Sequence, residues 1–392
     1  VTKEAGLDNI KGWTTGVAMV DINGDGLLDI YVCHAGNGPA DTRKNQLFIN
    51  LGVDKNGIPH FKDEAEKYGL ADEGLSTQAA FFDYDGDGDL DCFMLNNSNR
   101  AIGSFGNNRQ LRNIRDSLGG DKLYRNDNGH FKDVTDSAGI YGSSIGFGLG
   151  VNVADLNGDM WPDIYVSNDF FEKDYLYINQ RNGKFKEVSD QELGHISQSS
   201  MGADIADINN DGKLDIYTTD MLPESDYRLK TLTHFDDYDI ANARVKDNYF
   251  HHQFLSNMLQ LNNGDSTFSE IGELAGVSAT DWSWGALIFD FNNDGWKDIF
   301  VSNGIYKDVT NQDFLDYFSN GAVMQRAAIE GSFNYEEFEK KIPSVPIPNY
   351  AFVNQHNLRF KNEAYLLGLG QPGFSSGAAY GDLDNDGDLD LV

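Results

Sequence analysis

The chain has 392 residues, with 62 Asp and Glu against 30 Lys and Arg, and a net charge of −32. That imbalance argues against holding nucleic acid or an anionic membrane surface through a basic patch, and no apolar run reads as a transmembrane segment. A chain this long would ordinarily suggest about two or three domains, unless a repeat spans it.

Such a repeat is present, marked by a nine-residue acidic pattern that recurs six times. At pattern positions 1, 3, 5, 7 and 9 the first copy has Asp21, Asn23, Asp25, Leu27 and Asp29, and the second Asp83, Asp85, Asp87, Asp89 and Asp91. The third has Asp155, Asn157, Asp159, Trp161 and Asp163, and the fourth Asp207, Asn209, Asp211, Lys213 and Asp215. The fifth has Asp290, Asn292, Asp294, Trp296 and Asp298, and the last Asp382, Asp384, Asp386, Asp388 and Asp390. Carboxylate or amide oxygens at positions 1, 3 and 5 of a tight loop converge on one point, as hard cations such as Ca²⁺ require. The carbonyl of position 7 and the carboxylate of position 9 complete the expected ligand set. Position 6 is Gly in five copies, which permits the sharp turn; Met160 stands there in the third, the copy expected to bind most weakly or with some distortion. An EF-hand closes with Glu at position 12 between helices. Here the last ligand is Asp at position 9 and the flanks read as strands, so these are β-hairpin loops for up to six Ca²⁺ ions.

The flanking segments repeat as well. A small and apolar strand, here called a, enters each loop, as in Gln78-Ala-Ala-Phe-Phe82, and an apolar strand b leaves it, as in Leu90-Asp-Cys-Phe-Met-Leu95. Strand c ends in Asn: Gln46–Asn50, Lys122–Asn126, Tyr175–Asn179, Met258–Asn262 and Tyr350–Asn354. Strand d starts at Phe61, Phe131, Phe185, Phe268 or Phe360 and is commonly followed by a turn of the kind Ala138-Gly-Ile140. Four short antiparallel strands in fixed order predict the blades of an all-β propeller, taken as one domain over residues 1–392. Ala5-Gly6-Leu7 reads as the tail of a strand d, and the sixth loop has no strand c after it, so ring closure and a seventh blade are expected outside these residues.

Spacing between loops varies because of insertions between strands b and c, approximately residues 96–120, 222–256 and 304–349. In an up-and-down blade these lie on the face opposite the acidic loops. Within the last, Asn311 to Lys341 reads as helical, with Phe314, Leu315, Phe318, Val323, Met324 and Ala327 along one face and Pro343 ending the run. Cys33 and Cys92 lie at non-equivalent positions of neighbouring repeats, and their spacing does not establish a disulfide.

The loops, the segment Phe147-Gly-Leu-Gly-Val-Asn-Val-Ala-Asp155 and the Leu-Tyr-x-Asn strands together resemble the FG-GAP and VCBS repeats of integrin α-subunit-like propellers. Asp220-Met-Leu-Pro-Glu224, Asn257-Met-Leu-Gln-Leu-Asn-Asn263 and Ala279-Thr-Asp-Trp-Ser-Trp284 are similar to stretches of the bacterial relatives of cartilage acidic protein, the group associated with ASPIC/UnbV domains. The resemblance implies a seven-bladed propeller, calcium in the hairpin loops and extracellular or outer-membrane display. It implies no settled activity.

Two classes of function are then open. An interaction module would display its insertions to a surface or outer-membrane protein, or to a glycan, from a rigid scaffold. Tyr227, His234, Phe235, Tyr238, Arg244 and Tyr249 are its candidate contacts, since aromatics and Arg concentrate in binding hot spots. The alternative is a propeller hydrolase or lyase acting on an extracellular polysaccharide, with His251, His252, Asp236, Asp237 and Glu224 as the candidate constellation. No nucleophile elbow, HExxH or phosphate loop supports that alternative. Low-affinity calcium loops fill where calcium is millimolar, which places the expected location outside the cell or on its surface.

Overall fold

The computed structural model describes residues 1–10, 12–99, 109–170, 172–232, 251–319 and 335–392. They form two compact units: one runs from Val1 to Ser200 and takes in Asn262–Phe268, and the other begins at Met201 and includes Phe254–Leu261 and Ser269–Val392.

The first unit holds three four-stranded antiparallel sheets with strands in the order a-b-c-d. They are Trp13–Val20, Asp29–Ala35, Gln46–Val53 and Pro59–Asp63; Ser76–Phe82, Asp91–Asn96, Lys122–Asn126 and Phe131–Asp133; and Gly148–Ala154, Asp163–Asn168, Tyr175–Asn179 and Phe185–Glu187. The plan recurs in Ala203–Ala206, Asp215–Thr218, Met258–Asn262 and Phe268–Glu270, and, within the second unit, in Ser283–Phe289, Asp298–Asn303, Tyr350–Asn354 and Phe360–Asn362. A two-stranded ribbon, Tyr380–Gly381 with Asp390–Leu391, flanks the sixth loop. This nearly all-β architecture matches the blades read from the sequence.

Strand b is apolar along its length because it is covered on both faces. In Asp91–Asn96 every residue is buried, and Cys33, Cys92, Met94 and Tyr31 share one core cluster with the neighbouring sheet. Both cysteines are free, and burial pushes the Cys33 thiol up to about 12. Within each unit strand a lies beside strand a of the next sheet. Thr15 Oγ1 donates to the Ser76 carbonyl at 2.6 Å, Thr77 Oγ1 to that of Gly148 at 3.0 Å, and in the second unit Ile288 N to Asp204 Oδ2 at 2.6 Å.

The turn after strand d is one turn of helix closed by a left-handed glycine, as at Ala65–Tyr68 with Gly69 (φ 80°) and Thr135–Ala138 with Gly139 (φ 81°). These glycines are fixed twice over, since a Cβ on Gly69 or Gly139 would also stand 2.7 or 2.8 Å from the carbonyl oxygen of Phe131 or Phe185, the first residue of the next strand d. Ala5 and Gly6 repeat the arrangement against Phe61, whose N–H donates to the Ala5 carbonyl at 2.9 Å. The tail-of-strand reading of Ala5-Gly6-Leu7 therefore agrees with its contacts.

In the third insertion the described residues are helical at Gln312–Ser319 and Tyr335–Glu339. The Phe314 and Phe318 rings pack against Phe338 with centroids 5.4 and 5.2 Å away. Val323, Met324 and Ala327 lie outside the described residues.

Candidate functional site

Each acidic loop is built by its own side chains. The carboxylate of position 1 accepts the N–H of position 5 on one oxygen and that of position 6 on the other, as Asp21 does from Asp25 and Gly26 at 3.0 and 2.8 Å. The same pair recurs at Asp83, Asp155, Asp207, Asp290 and Asp382. In all six loops the N–H of position 7 donates to the position 5 carboxylate. Positions 4 and 6 are left-handed throughout, with Asn at position 4 in the last three copies and Met160 at position 6 of the third. Met160 adopts φ 67° and keeps the hydrogen bonds of its glycine counterparts, so the expected distortion is absent from the hydrogen bonding and is carried as backbone strain.

Position 9 is the hinge between loop and sheet. Asp29, Asp91, Asp163 and Asp298 are fully buried, and one oxygen of each accepts the N–H of position 2 of its own loop. The other oxygen accepts the backbone N–H of the Asn that ends strand c: Asn50, Asn126, Asn179 or Asn354, at 2.7 to 2.8 Å. Each Asn returns its Nδ2 to the position 8 carbonyl of that loop. Asn179 and Asn354 also reach the position 2 carbonyl of the preceding loop, Tyr84 or Ile208, at 2.8 Å. The sequence shows this Asn only as a recurrent strand ending; in the structure it ties two loops together. Asp390 accepts Leu383 N in the same way but is exposed.

At the other end of strand b lies a second recurrent group that the sequence reading missed. Asn45, Asp121, Asp174, Asn257 and Asn349 each immediately precede strand c. Their Oδ1 atoms accept the N–H of His34, Asn96, Asn168, Asp220 and Asn303 at 2.7 to 3.0 Å. The signal was available as Asp or Asn one residue before every strand c.

The acidic loops suit a divalent cation. Asp83, Asp85 and Asp91 bring carboxylate oxygens within 4.8 Å of one another, as do Asp382, Asp384 and Asp390. Asp85 Oδ1 is buried and has no hydrogen-bond partner among the described residues. Burial pushes Asp91 and Asp163 up to about 7 and Asp298 to about 6, against the pull of their backbone N–H donors. A bound cation would offset the cost of keeping these groups charged. The remaining four loops have Asn at position 3, an amide oxygen in place of a third carboxylate. Asp159, Asp211 and Asp294 also meet Arg181, Lys213 and His356 at 2.6, 2.9 and 3.3 Å.

Neighbouring loops touch directly. Asn210 Nδ2 donates to the Gly295 carbonyl at 3.2 Å and Asn293 Nδ2 to Asp388 at 2.8 Å. A Cβ on Gly86 would lie 3.1 Å from the Trp161 ring.

The other candidates are less connected. Tyr227 is 76% exposed on the helix Asp226–Thr231; His234, Phe235, Tyr238, Arg244 and Tyr249 lie outside the described residues. So do Asp236 and Asp237. Of the remaining enzyme constellation, His251 Nδ1 faces the His252 carbonyl at 3.3 Å, and Glu224 accepts the Tyr350 hydroxyl at 2.7 Å.

Hairpin loops of this pattern on four-stranded antiparallel sheets define a repeat protein built from propeller-type blades. The FG-GAP-like repeat model matches residues 21–94, 112–166, 155–218 and 243–301, more than half of the chain, which therefore belongs to that family. It is 25% identical to cartilage acidic protein 1 of Xenopus tropicalis over 96% of this chain and 56% of that protein. It is 37% identical to integrin alpha-6 of Gallus gallus over 19% of this chain and 8% of that one. The chain thus spans little more than half of the first relative and a small part of the second. Among solved structures, an Agrocybe aegerita lectin that recognises non-reducing terminal N-acetylglucosamine aligns with TM-score 0.42 and 15% identity, over 88% of this chain and 64% of the lectin. A likeness that distant carries no argument about ligand.

Proposed function

We propose that this chain is a calcium-stabilised propeller domain, displayed outside the cell or on its surface, that serves as a protein- or glycan-interaction module. The observation that carries the calcium reading is the Asp83, Asp85 and Asp91 cluster, whose oxygens converge while Asp85 Oδ1 is buried with no hydrogen-bond partner among the described residues. Ca²⁺ bound there would neutralise like charges that otherwise repel by about 1 kcal/mol or more per pair. The side chains and carbonyls of the six patterns are the proposed ligands: Asp, Asn or Asp, Asp, a backbone carbonyl, and Asp.

Similarity to cartilage acidic protein 1 and to integrin alpha-6 supports the module reading, and no described helix is long and apolar enough to cross a membrane. The insertions leave the sheets at the strand ends opposite the acidic loops, so a partner can engage them without touching the cations. The test is metal content by mass spectrometry together with thermal melting in calcium and in excess chelator. Bound calcium and a large fall in melting temperature on chelation are expected; an unchanged melting curve refutes the calcium assignment.

A further inference from the structure

Three segments singled out in the sequence meet in the second unit. Asp220 N donates to Asn257 Oδ1 at 2.7 Å, Asn257 Nδ2 to Thr280 Oγ1 at 2.6 Å, and Asp281 N to the Leu222 carbonyl at 2.9 Å. Beside them is a cavity of about 450 Å³ whose polar lining includes Glu224, Arg228, Asp281 and Asn303. That volume falls within the roughly 300–1,000 Å³ typical of small-molecule sites.

The polar groups are fixed and incompletely satisfied. The Arg228 guanidinium donates Nε and Nη2 to the two oxygens of Asp281 at 2.9 and 2.8 Å, and Nη1 to Asp308 at 2.7 Å. This uses three of its five N–H groups, and the others meet no acceptor among the described residues. Tyr350 donates its hydroxyl to Glu224 Oε2, and Oε1 has no hydrogen-bond partner among the described residues. Asn303 is fully buried; its Nδ2 donates to the carbonyls of Thr280 and Pro348, while its Oδ1 has no partner among the described residues. Ile347, Pro348 and Tyr350 supply an apolar wall.

We infer that this cavity binds a neutral pyranose, presented free or as the end of a glycan. The ligand must donate to Glu224 and accept from Arg228. An ammonium donates only, and it would stand beside the guanidinium. A carboxylate or phosphate accepts only, and it would face Glu224, Asp281 and Asp308. Hydroxyl groups do both without charge, and the C–H face of a sugar ring suits the apolar wall. The inference rests on the interaction-module reading and names the ligand class for it.

The test titrates the intact chain, in calcium, with methyl α-D-glucopyranoside, methyl α-D-mannopyranoside, methyl β-D-galactopyranoside and N-acetylglucosamine, and with glucuronate and spermidine as charged controls. Binding of at least one neutral sugar is expected, with hydrogen-exchange protection of residues 222–232 and 343–350 on its addition. Glu224→Gln should keep the fold, because Glu224 is exposed, and should weaken that sugar on the order of tenfold, as loss of a charge-assisted hydrogen bond does. Ile347→Lys, at the apolar wall, should weaken it as well. Binding of the controls alone, protection confined to other segments, or no response to either substitution overturns the proposal. If no sugar binds but a purified protein partner binds the chain in calcium, the pyranose site fails and the module reading stands. If neither binds, both fail.

Discussion

Replacing Asp121 by Asn should stabilise the protein at neutral pH and above. Asp121 is 4% exposed and precedes strand c of the second sheet. Its carboxylate accepts the Asn96 N–H at 3.0 Å, and burial pushes the carboxyl up to about 8. An unfolded Asp loses its proton near pH 4, so between pH 4 and 8 the folded chain holds a proton that the unfolded chain has released. Stability is therefore full below that interval and falls as pH rises through it. Each pH unit costs about 1.4 kcal/mol, so the penalty accumulated between pH 5 and 8 is about 4 kcal/mol. Asn45, Asn257 and Asn349 perform the same task in other sheets, accepting an N–H at or just past the end of strand b at 2.7 to 2.9 Å. An amide oxygen is therefore sufficient at this position. Urea unfolding of the parent and of Asp121→Asn from pH 5 to 8 should show the variant gaining on the parent by about 2–4 kcal/mol across the range. A constant difference, or a variant less stable at pH 8, refutes the reasoning. Asp174→Asn is the contrasting control. Asp174 accepts from Tyr165 Oη, Asn168 N and Ser200 Oγ at 2.6, 2.8 and 2.9 Å, so its amide would place an NH₂ among donors and gain little or nothing.

Asp85→Ala should remove more bound calcium than Asn157→Ala, because Asp85 belongs to a three-carboxylate cluster whereas Asn157 is neutral and its Oδ1 already accepts Asp159 N at 3.0 Å. Metal analysis after equilibrium dialysis decides this, and equal losses would count against the ranking. Met160→Gly should raise stability by about 1 kcal/mol, since Met160 is 91% exposed and holds φ 67° with little packing to lose. A lower melting temperature for the glycine variant would show that the side chain contributes something its exposure conceals.

The strand plan and the acidic loops were legible because their causes are local. A nine-residue loop builds its hydrogen bonds from its own carboxylates and backbone, and a strand covered on both faces must be apolar along its length. The Asn at the end of strand c was visible as a pattern, but its role was not, because Tyr84 and Asn179 are distant in sequence and meet only when sheets stack. The Asx before strand c was missed for a plainer reason: Asp and Asn were read as one class in the loops and not elsewhere. The cavity beside Arg228 draws on residues from 224 to 350, a separation that no local pattern reports. Pattern reading did identify three segments meeting at that end, without indicating that they met.

Why one end of each sheet is uniform and the other variable follows from these two sets of hydrogen bonds. At the loop end, the position 9 carboxylate and the strand-c Asn spend their capacity on the loop itself, and Asn179 and Asn354 also spend it on the loop before. An insertion there would break contacts in two repeats at once. In the second unit Asn210 and Asn293 extend the linkage from loop to loop through Gly295 and Asp388. At the opposite end, the bond common to every Asx before strand c is to an N–H at or just past the end of strand b. Once that bond closes the sheet, any length of chain can pass between the two strands. The first insertion leaves after Asn96 and returns at Asp121, whose carboxylate accepts the Asn96 N–H. The ends of the insertion are thus pinned independently of what lies between, so that end of the sheet tolerates added chain while the acidic-loop end does not.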